Sequence, residues 1–113
     1  MHELGLIAGI LKTVESAVAR EKLSRVGKIV LQVGEFSGVV PSYLKEYFPA
    51  AVRNTRFEGT ELEVEIIPGI ARCNSCGAEF NAFENRFQCP GCGGKEMSPQ
   101  SGREFLIKEI EAY

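Results

Sequence analysis

The sequence predicts an α+β fold: two helices on a three-stranded sheet, with an inserted four-cysteine, zinc-ribbon-like domain. Three observations carry that expectation. Apolar residues near the N-terminus recur with helical spacing, Glu61 to Ile66 alternates charged and apolar residues, and all four cysteines fall in two CxxC pairs. The boundaries follow from these signals. Residues 1–68 and 100–113 form the α+β domain, and residues 69–99 form the cysteine-bearing domain.

The first helix is expected from about Glu3 to Lys22. Leu4, Ile7, Ala8, Leu11, Val14 and Val18 make its inward stripe; Leu6 and Ile10, off that stripe, either widen it or mark a contact surface. Gly5 and Gly9 each cost such a helix about 1 kcal/mol relative to alanine, which close packing on a sheet would explain. Lys28 to Gly34 is β-branched and apolar and reads as a strand, with Gly34 to Gly38 as its turn. Pro41 suits the first turn of a second helix running to about Asn54. Leu44, Phe48, Ala51 and Val52 face inward there, Tyr43 and Tyr47 flank them, and Pro49 predicts a kink or an early break. The next strand places Leu62, Val64 and Ile66 inward and Glu61, Glu63 and Glu65 in water, and Pro68-Gly69 ends it. Arg103 to Ala112 returns as the last strand, with Phe105 and Ile107 on one side and Leu106 and Ile110 on the other.

Cys73, Cys76, Cys89 and Cys92 have the spacing of a tetrahedral zinc site. Each pair permits a tight turn that aims two sulfurs at one point. The twelve residues between the pairs allow a short hairpin that brings the second pair opposite the first. Two disulfides and a rubredoxin-like iron site compete with zinc, and a colourless protein would dismiss iron. Four thiolates leave no open coordination position, so the role is structural. The insert is too short for a sufficient core of its own, so metal binding would supply much of its folding free energy.

Net charge is −2, with 13 Lys and Arg against 15 Asp and Glu, and the chain is 44% hydrophobic. That balance argues against a general nucleic-acid binder, which shows a basic excess or stripe. No apolar run is long enough to span a membrane, and the start lacks the basic region of a signal peptide. Metal-binding cysteines without an export signal point to the cytoplasm. With one histidine, at the terminus, no catalytic triad or open catalytic metal site can be assembled.

That histidine, His2, sits beside the α-amino group of Met1. The Met1 amine, the His2 amide nitrogen and the His2 imidazole can close fused chelate rings, a nitrogen-rich set suited to Ni²⁺ or Cu²⁺. The Glu3 carboxylate, water or a group from elsewhere can fill a fourth position, and such a site could release its ion to a partner. Glu3 has a second role open to it as a first-turn carboxylate, because a helix start favours anions over cations.

Five features recur in one order across essentially the whole chain. They are Met1-His2-Glu3-Leu4, Gly34-Glu35-Phe36-Ser37-Gly38-Val39-Val40-Pro41, the strand from Glu58 to Pro68, the paired CxxC insert, and Ser101-Gly102-Arg103-Glu104. In these the chain resembles the hydrogenase nickel incorporation family HypA/HybF, whose members are nickel metallochaperones. The resemblance implies nickel delivery to the large subunit of [NiFe]-hydrogenase, with a GTPase of the same maturation pathway as partner. Some members of the family also support urease maturation. It implies that nickel is held by His2 with Glu3 adjoining it, and structural zinc by Cys73, Cys76, Cys89 and Cys92. A homodimer is compatible with this picture. The competing class is a zinc-ribbon module that mediates protein or nucleic-acid interaction.

Overall fold

The computed structural model describes residues 3–113. Met1 and His2, predicted nickel ligands, lie outside the described residues. In chain order the elements are helix α1 (Glu3–Arg20), strand β1 (Val26–Gly34), a 3₁₀ turn (Glu35–Ser37), helix α2 (Pro41–Val52) and strand β2 (Glu61–Ile67). Strands β3 (Ile70–Cys73), β4 (Glu79–Asn81), β5 (Met97–Pro99) and β6 (Phe105–Ala112) complete the chain. They form two three-stranded sheets, ordered β2-β1-β6 and β4-β3-β5. The molecule measures 54 × 25 × 17 Å, with a radius of gyration of 17.5 Å. A compact chain of this length would have about 13 Å, so two lobes lie end to end.

In the first sheet β1 is central, parallel to β2 and antiparallel to β6. A parallel neighbour needs a crossover, and α2 supplies it. Both helices cover one face. Ile7, Ile10, Val14 and Val18 of α1 and Leu44, Phe48 and Val52 of α2 pack on Ile29, Leu31 and Val33. The predicted arrangement of two helices on a three-stranded sheet is thus the observed one. On the other face the predicted glutamates meet lysines: Lys28 Nζ lies 2.8 Å from Glu63 Oε1, and Lys108 Nζ 2.8 Å from Glu65 Oε2.

Several expectations change in detail. Helix α1 ends at Arg20, not Lys22, because Lys22 adopts a left-handed φ of 57° and Leu23 N–H turns back onto the Val18 carbonyl at 3.0 Å. Leu4 is 55% exposed and Ala8 is exposed too. The buried stripe centres near Val14, and at 3.6 residues per turn Leu4 and Ala8 lie about 80° and 120° around the helix from it. Ile10 therefore belongs fully to the core. An added Cβ on Gly9 would meet nothing within 4 Å, so close packing does not explain that glycine.

Helix α2 runs through Pro49 to Val52 without a break. Pro49 removes the donor for the Lys45 carbonyl, but both residues are exposed and water can replace it. Ile66, expected inward, is 58% exposed because it lies at the end of β2, beyond most of the helical cover. Ile110 also moves. A register irregularity between Val30 and Leu31 makes Ile107 the partner of Leu31 and Ile110 the partner of Ile29. The extra residue, Lys108, is a β-bulge, so Phe105, Ile107 and Ile110 all reach the core while Leu106 stays 45% exposed.

Strand β3 pairs antiparallel with β4 and β5. The hairpin expected between the cysteine pairs is instead built around the first pair, β3 before it and β4 after it. Residues 82–88 then run as turns to the second pair. The small core here is Ala71, Cys73, Phe80, Ala82 and Cys89, with Phe36 of the 3₁₀ turn packed against it.

Phe36 marks the junction of the lobes. Gly34 N–H donates to the Glu104 carbonyl at 2.6 Å and Phe36 N–H to the Gly102 carbonyl at 2.7 Å. Glu35 Oε1 accepts from Gly69 N–H at 2.7 Å and from Asn81 Nδ2 at 3.3 Å. The ring centroids of Phe36 and Phe83 are 5.2 Å apart. An added Cβ on Gly34 would collide with the Gly102 carbonyl group, and one on Gly102 would stand 2.7 Å from both Gly69 Cα and the Pro68 carbonyl oxygen. Only bare backbone lets the three segments pass this closely.

Candidate metal centre

The two cysteine pairs adopt the same turn. Cys73 N–H donates to the Ala78 carbonyl at 2.8 Å and the Cys73 carbonyl accepts from Gly77 N–H at 3.0 Å. In the second pair Cys89 N–H donates to the Gly94 carbonyl at 2.8 Å and the Cys89 carbonyl accepts from Gly93 N–H at 2.8 Å. Gly77 and Gly93 close these turns at φ of 77° and 76°, a region side chains rarely adopt. Each turn buries its first cysteine, Cys73 and Cys89 at 2% exposure, and leaves Cys76 and Cys92 at the surface.

All four sulfurs lie within 4.8 Å of one another. The short separations cross between pairs: Cys73 Sγ to Cys92 Sγ and Cys76 Sγ to Cys89 Sγ are each 3.5 Å. Zinc–sulfur bonds of about 2.3 Å in a tetrahedron put sulfurs about 3.8 Å apart, so the cluster fits a single zinc-sized cation. The sulfurs are not joined as disulfides. Gly91 N–H donates to Cys89 Sγ at 3.3 Å and Gly94 N–H to Cys92 Sγ at 3.4 Å, contacts that favour thiolate over thiol.

Without a cation the four groups cannot all ionise. Cys73 is brought down to about 6, chiefly by the backbone N–H of Cys76 and then that of Ser75. Cys89 is also lowered, mainly by the Cys92 N–H. Cys92 is pushed up to about 12. The Gly94 N–H favours its thiolate, but proton sharing with Cys73 and Cys76, together with burial, outweighs that. Cys76 is raised as well, its Ala78 N–H contact being outweighed by Cys89, Cys73 and burial.

Of the N-terminal set, the structure describes only Glu3. It is the first residue of α1 and is 8% exposed, a first-turn carboxylate where the helix start favours negative charge. The predicted site residues therefore divide into an assembled cysteine cluster and an N-terminal set of which only Glu3 is described. Glu35, the carboxylate at the lobe junction, is a functional candidate that the sequence by itself does not single out. Its signal was present in the Gly34-to-Pro41 motif, but its partners Gly69 and Asn81 lie 34 and 46 residues away. No described helix is long and apolar enough to cross a membrane.

Comparison with known proteins gives a consistent result. A family model described as hydrogenase/urease nickel incorporation, metallochaperone, HypA matches residues 1–112. The hydrogenase maturation factor HypA of Dechloromonas aromatica is 37% identical over 111 residues, covering 98% of each chain. That of a Nostoc species is 38% identical over 111 residues, 98% of this chain and 95% of the relative. Among solved structures, the solution structure of the Ni metallochaperone HypA from Helicobacter pylori aligns with a TM-score of 0.66 at 19% identity, over 99% of this chain and 97% of that one. A second HypA solution structure aligns at 0.68 and 17%, covering 100% and 97%; at such identities these two speak for the fold. With a family match spanning the chain and relatives above one-third identity, this protein belongs to the HypA family of hydrogenase and urease nickel-incorporation metallochaperones.

Proposed function

We propose that this chain carries Ni²⁺ to the large subunit of [NiFe]-hydrogenase and catalyses no reaction itself. The observation that carries this reading is membership of the nickel-incorporation family over residues 1–112. Nickel is the cargo. The Met1 amine, the His2 amide and imidazole nitrogens and the Glu3 carboxylate are its holders, a nitrogen-rich set that suits Ni²⁺. Protons compete for the amine, which has an ordinary value of about 7.7–8.0, so loading weakens as pH falls below that.

Cys73, Cys76, Cys89 and Cys92 hold a resident zinc ion. Bound there, zinc supplies folding free energy to a lobe whose own core is small. Residues 69–99 then act as a rigid platform, and residues 1–68 with 100–113 carry the nickel end. The chain works in the cytoplasm with a GTPase of the maturation pathway, and urease is the alternative recipient. A nucleic-acid role is disfavoured by the outer face of the first sheet. Glu61, Glu63, Glu65, Glu109 and Glu111 outnumber Lys28 and Lys108 there, which repels phosphate.

The test is nickel titration of untagged protein, of His2→Ala, and of protein with residues added before Met1. Both altered forms should lose at least about tenfold in affinity, as expected when a chelate ring is removed. Unchanged affinity in both would reject the N-terminal site. A colourless protein containing one zinc per chain and no iron would support the cysteine assignment, and visible absorbance from bound iron would reject it.

A further inference from the structure

Ten large hydrophobic side chains are exposed among the described residues, and three of them, Val40, Ile66 and Phe83, border one pocket at the lobe junction, with Tyr43 on the first turn of α2 after Val40 and Phe87 against Phe83. Phe83 and Phe87 meet edge to face with centroids 4.9 Å apart, the rings of Tyr43 and Tyr47 lie 6.3 Å apart, and the Tyr43 backbone N–H donates to the Val40 carbonyl. Apolar surface concentrated in this way marks a contact site on a soluble protein. The pocket, about 260 Å³, is walled by Val39, Val40, Pro41, Ile66 and Phe83. Glu35 is its one charged lining residue.

The state of Glu35 says what fits. Its Oε1 is occupied by Gly69 N–H and Asn81 Nδ2, while Oε2 accepts no hydrogen bond from a described residue. No lysine or arginine among the described residues pairs with it. A carboxylate lining an apolar slot the size of one side chain complements a cation on an aliphatic stem. The stem packs on Val40, Ile66 and the Phe83 ring, and the head reaches Glu35. We infer that this pocket receives an arginine or lysine side chain from the protein that accepts the nickel, the hydrogenase large-subunit precursor.

Its position fits that recipient. Gly5 and Leu6 of α1 share a groove with Leu31 and Phe105, and Phe105 pairs in register with Val33, which borders the pocket. The start of α1 and the pocket therefore lie at the same end of the sheet. A protein taking an ion from the N-terminus would abut both. This inference rests on the nickel-delivery reading proposed above.

The experiment uses the full zinc-loaded chain and the purified nickel-free large-subunit precursor, with binding measured by calorimetry at low and high salt and nickel transfer followed in parallel. Ile66→Asp, at an exposed position, should weaken binding about tenfold or more. Glu35→Gln keeps an acceptor for Gly69 N–H but removes the charge, and should weaken binding about fivefold and flatten its salt dependence. Both should keep the wild-type circular dichroism, zinc content and nickel affinity. If both bind the precursor as wild type does, the pocket is not its docking site. Self-association of the wild type that Ile66→Asp abolishes would assign the pocket to a second copy and overturn the inference. A wild-type chain that neither binds the precursor nor transfers nickel to it would instead overturn the delivery reading, and the inference with it.

Discussion

Replacing Gly34 by alanine tests how the two lobes are joined. Gly34 has φ −78° and ψ 147°, ordinary values for any residue, so the backbone conformation is not the obstacle. Space is. The new methyl would occupy the position of the Gly102 carbonyl group, with Arg103 N at 2.9 Å, all of it backbone that no rotamer change can clear. The chain segments must part by about 1 Å, which stretches the bonds from Gly34 and Phe36, now 2.6 and 2.7 Å, to roughly 3.6 Å, beyond useful hydrogen bonding. Two lost hydrogen bonds cost about 1 kcal/mol each, and loosened packing of Phe36 on the second core adds to that. The sum, about 2–4 kcal/mol, corresponds to a fall in Tm of roughly 10–20 °C. Calorimetric melting of the zinc-loaded protein measures it, and hydrogen exchange should report faster opening at Gly34, Phe36 and Gly102. Gly38→Ala is the control. Gly38 has φ 79° but open space around its Cβ position, so only the conformational cost of about 1 kcal/mol applies. A Gly34→Ala protein that melts within a few degrees of wild type, or no lower than Gly38→Ala, would refute the argument.

Zinc loading should be coupled to proton release. Cys76 and Cys92 are raised above the ordinary thiol value and so are protonated at pH 7, whereas Cys73, lowered to about 6, is already mostly thiolate there. Loading metal-free protein at pH 7 should therefore liberate at least about two protons per zinc, and affinity should fall as pH falls; pH-stat titration in weak buffer decides, and pH-independent affinity would contradict the thiolate assignment. The bulge at Lys108 makes a paired prediction. Ile110→Asp places a charge against the first core and should lower Tm severely, whereas Leu106→Asp, at a 45% exposed position, should change it by only a few degrees. Equal effects would mean that the last strand keeps an unbroken alternation. Gly9→Ala should raise Tm, because the helix gains up to about 1 kcal/mol and the added methyl meets nothing; a fall would show that the fold does use that glycine.

The sequence alone was enough for the order of helices and strands in the first lobe, the inserted cysteine unit and most of the helical core, but not for the strands of the cysteine lobe. Ile7, Val14, Val18, Leu44, Phe48 and Val52 were legible as inward positions because a helix repeats every 3.6 residues whatever it packs against. The cysteine cluster was legible for a related reason: two short CxxC turns, each closed by the next glycine, fix sulfur positions locally. The features it missed depend on contacts far apart in the chain. The roll of α1 that exposes Leu4 and Ala8 is set by the sheet beneath it, and the exposed face on which Lys45 and Pro49 lie lets α2 continue past the missing donor.

Tertiary structure alone decided the last strand and the junction. Ile110 turns inward because Lys108 bulges out where β6 meets β1, a mismatch between partners about 80 residues apart that alternation within β6 cannot announce. Glu35 looks like one more turn carboxylate until folding brings Gly69 and Asn81 to one of its oxygens and an apolar pocket to its side. Local spacing is a property of the chain and can be read along it. The meeting of three distant backbones at Gly34, Gly69 and Gly102 exists only after collapse, and it sets both how the cysteine lobe is held and what surface it offers.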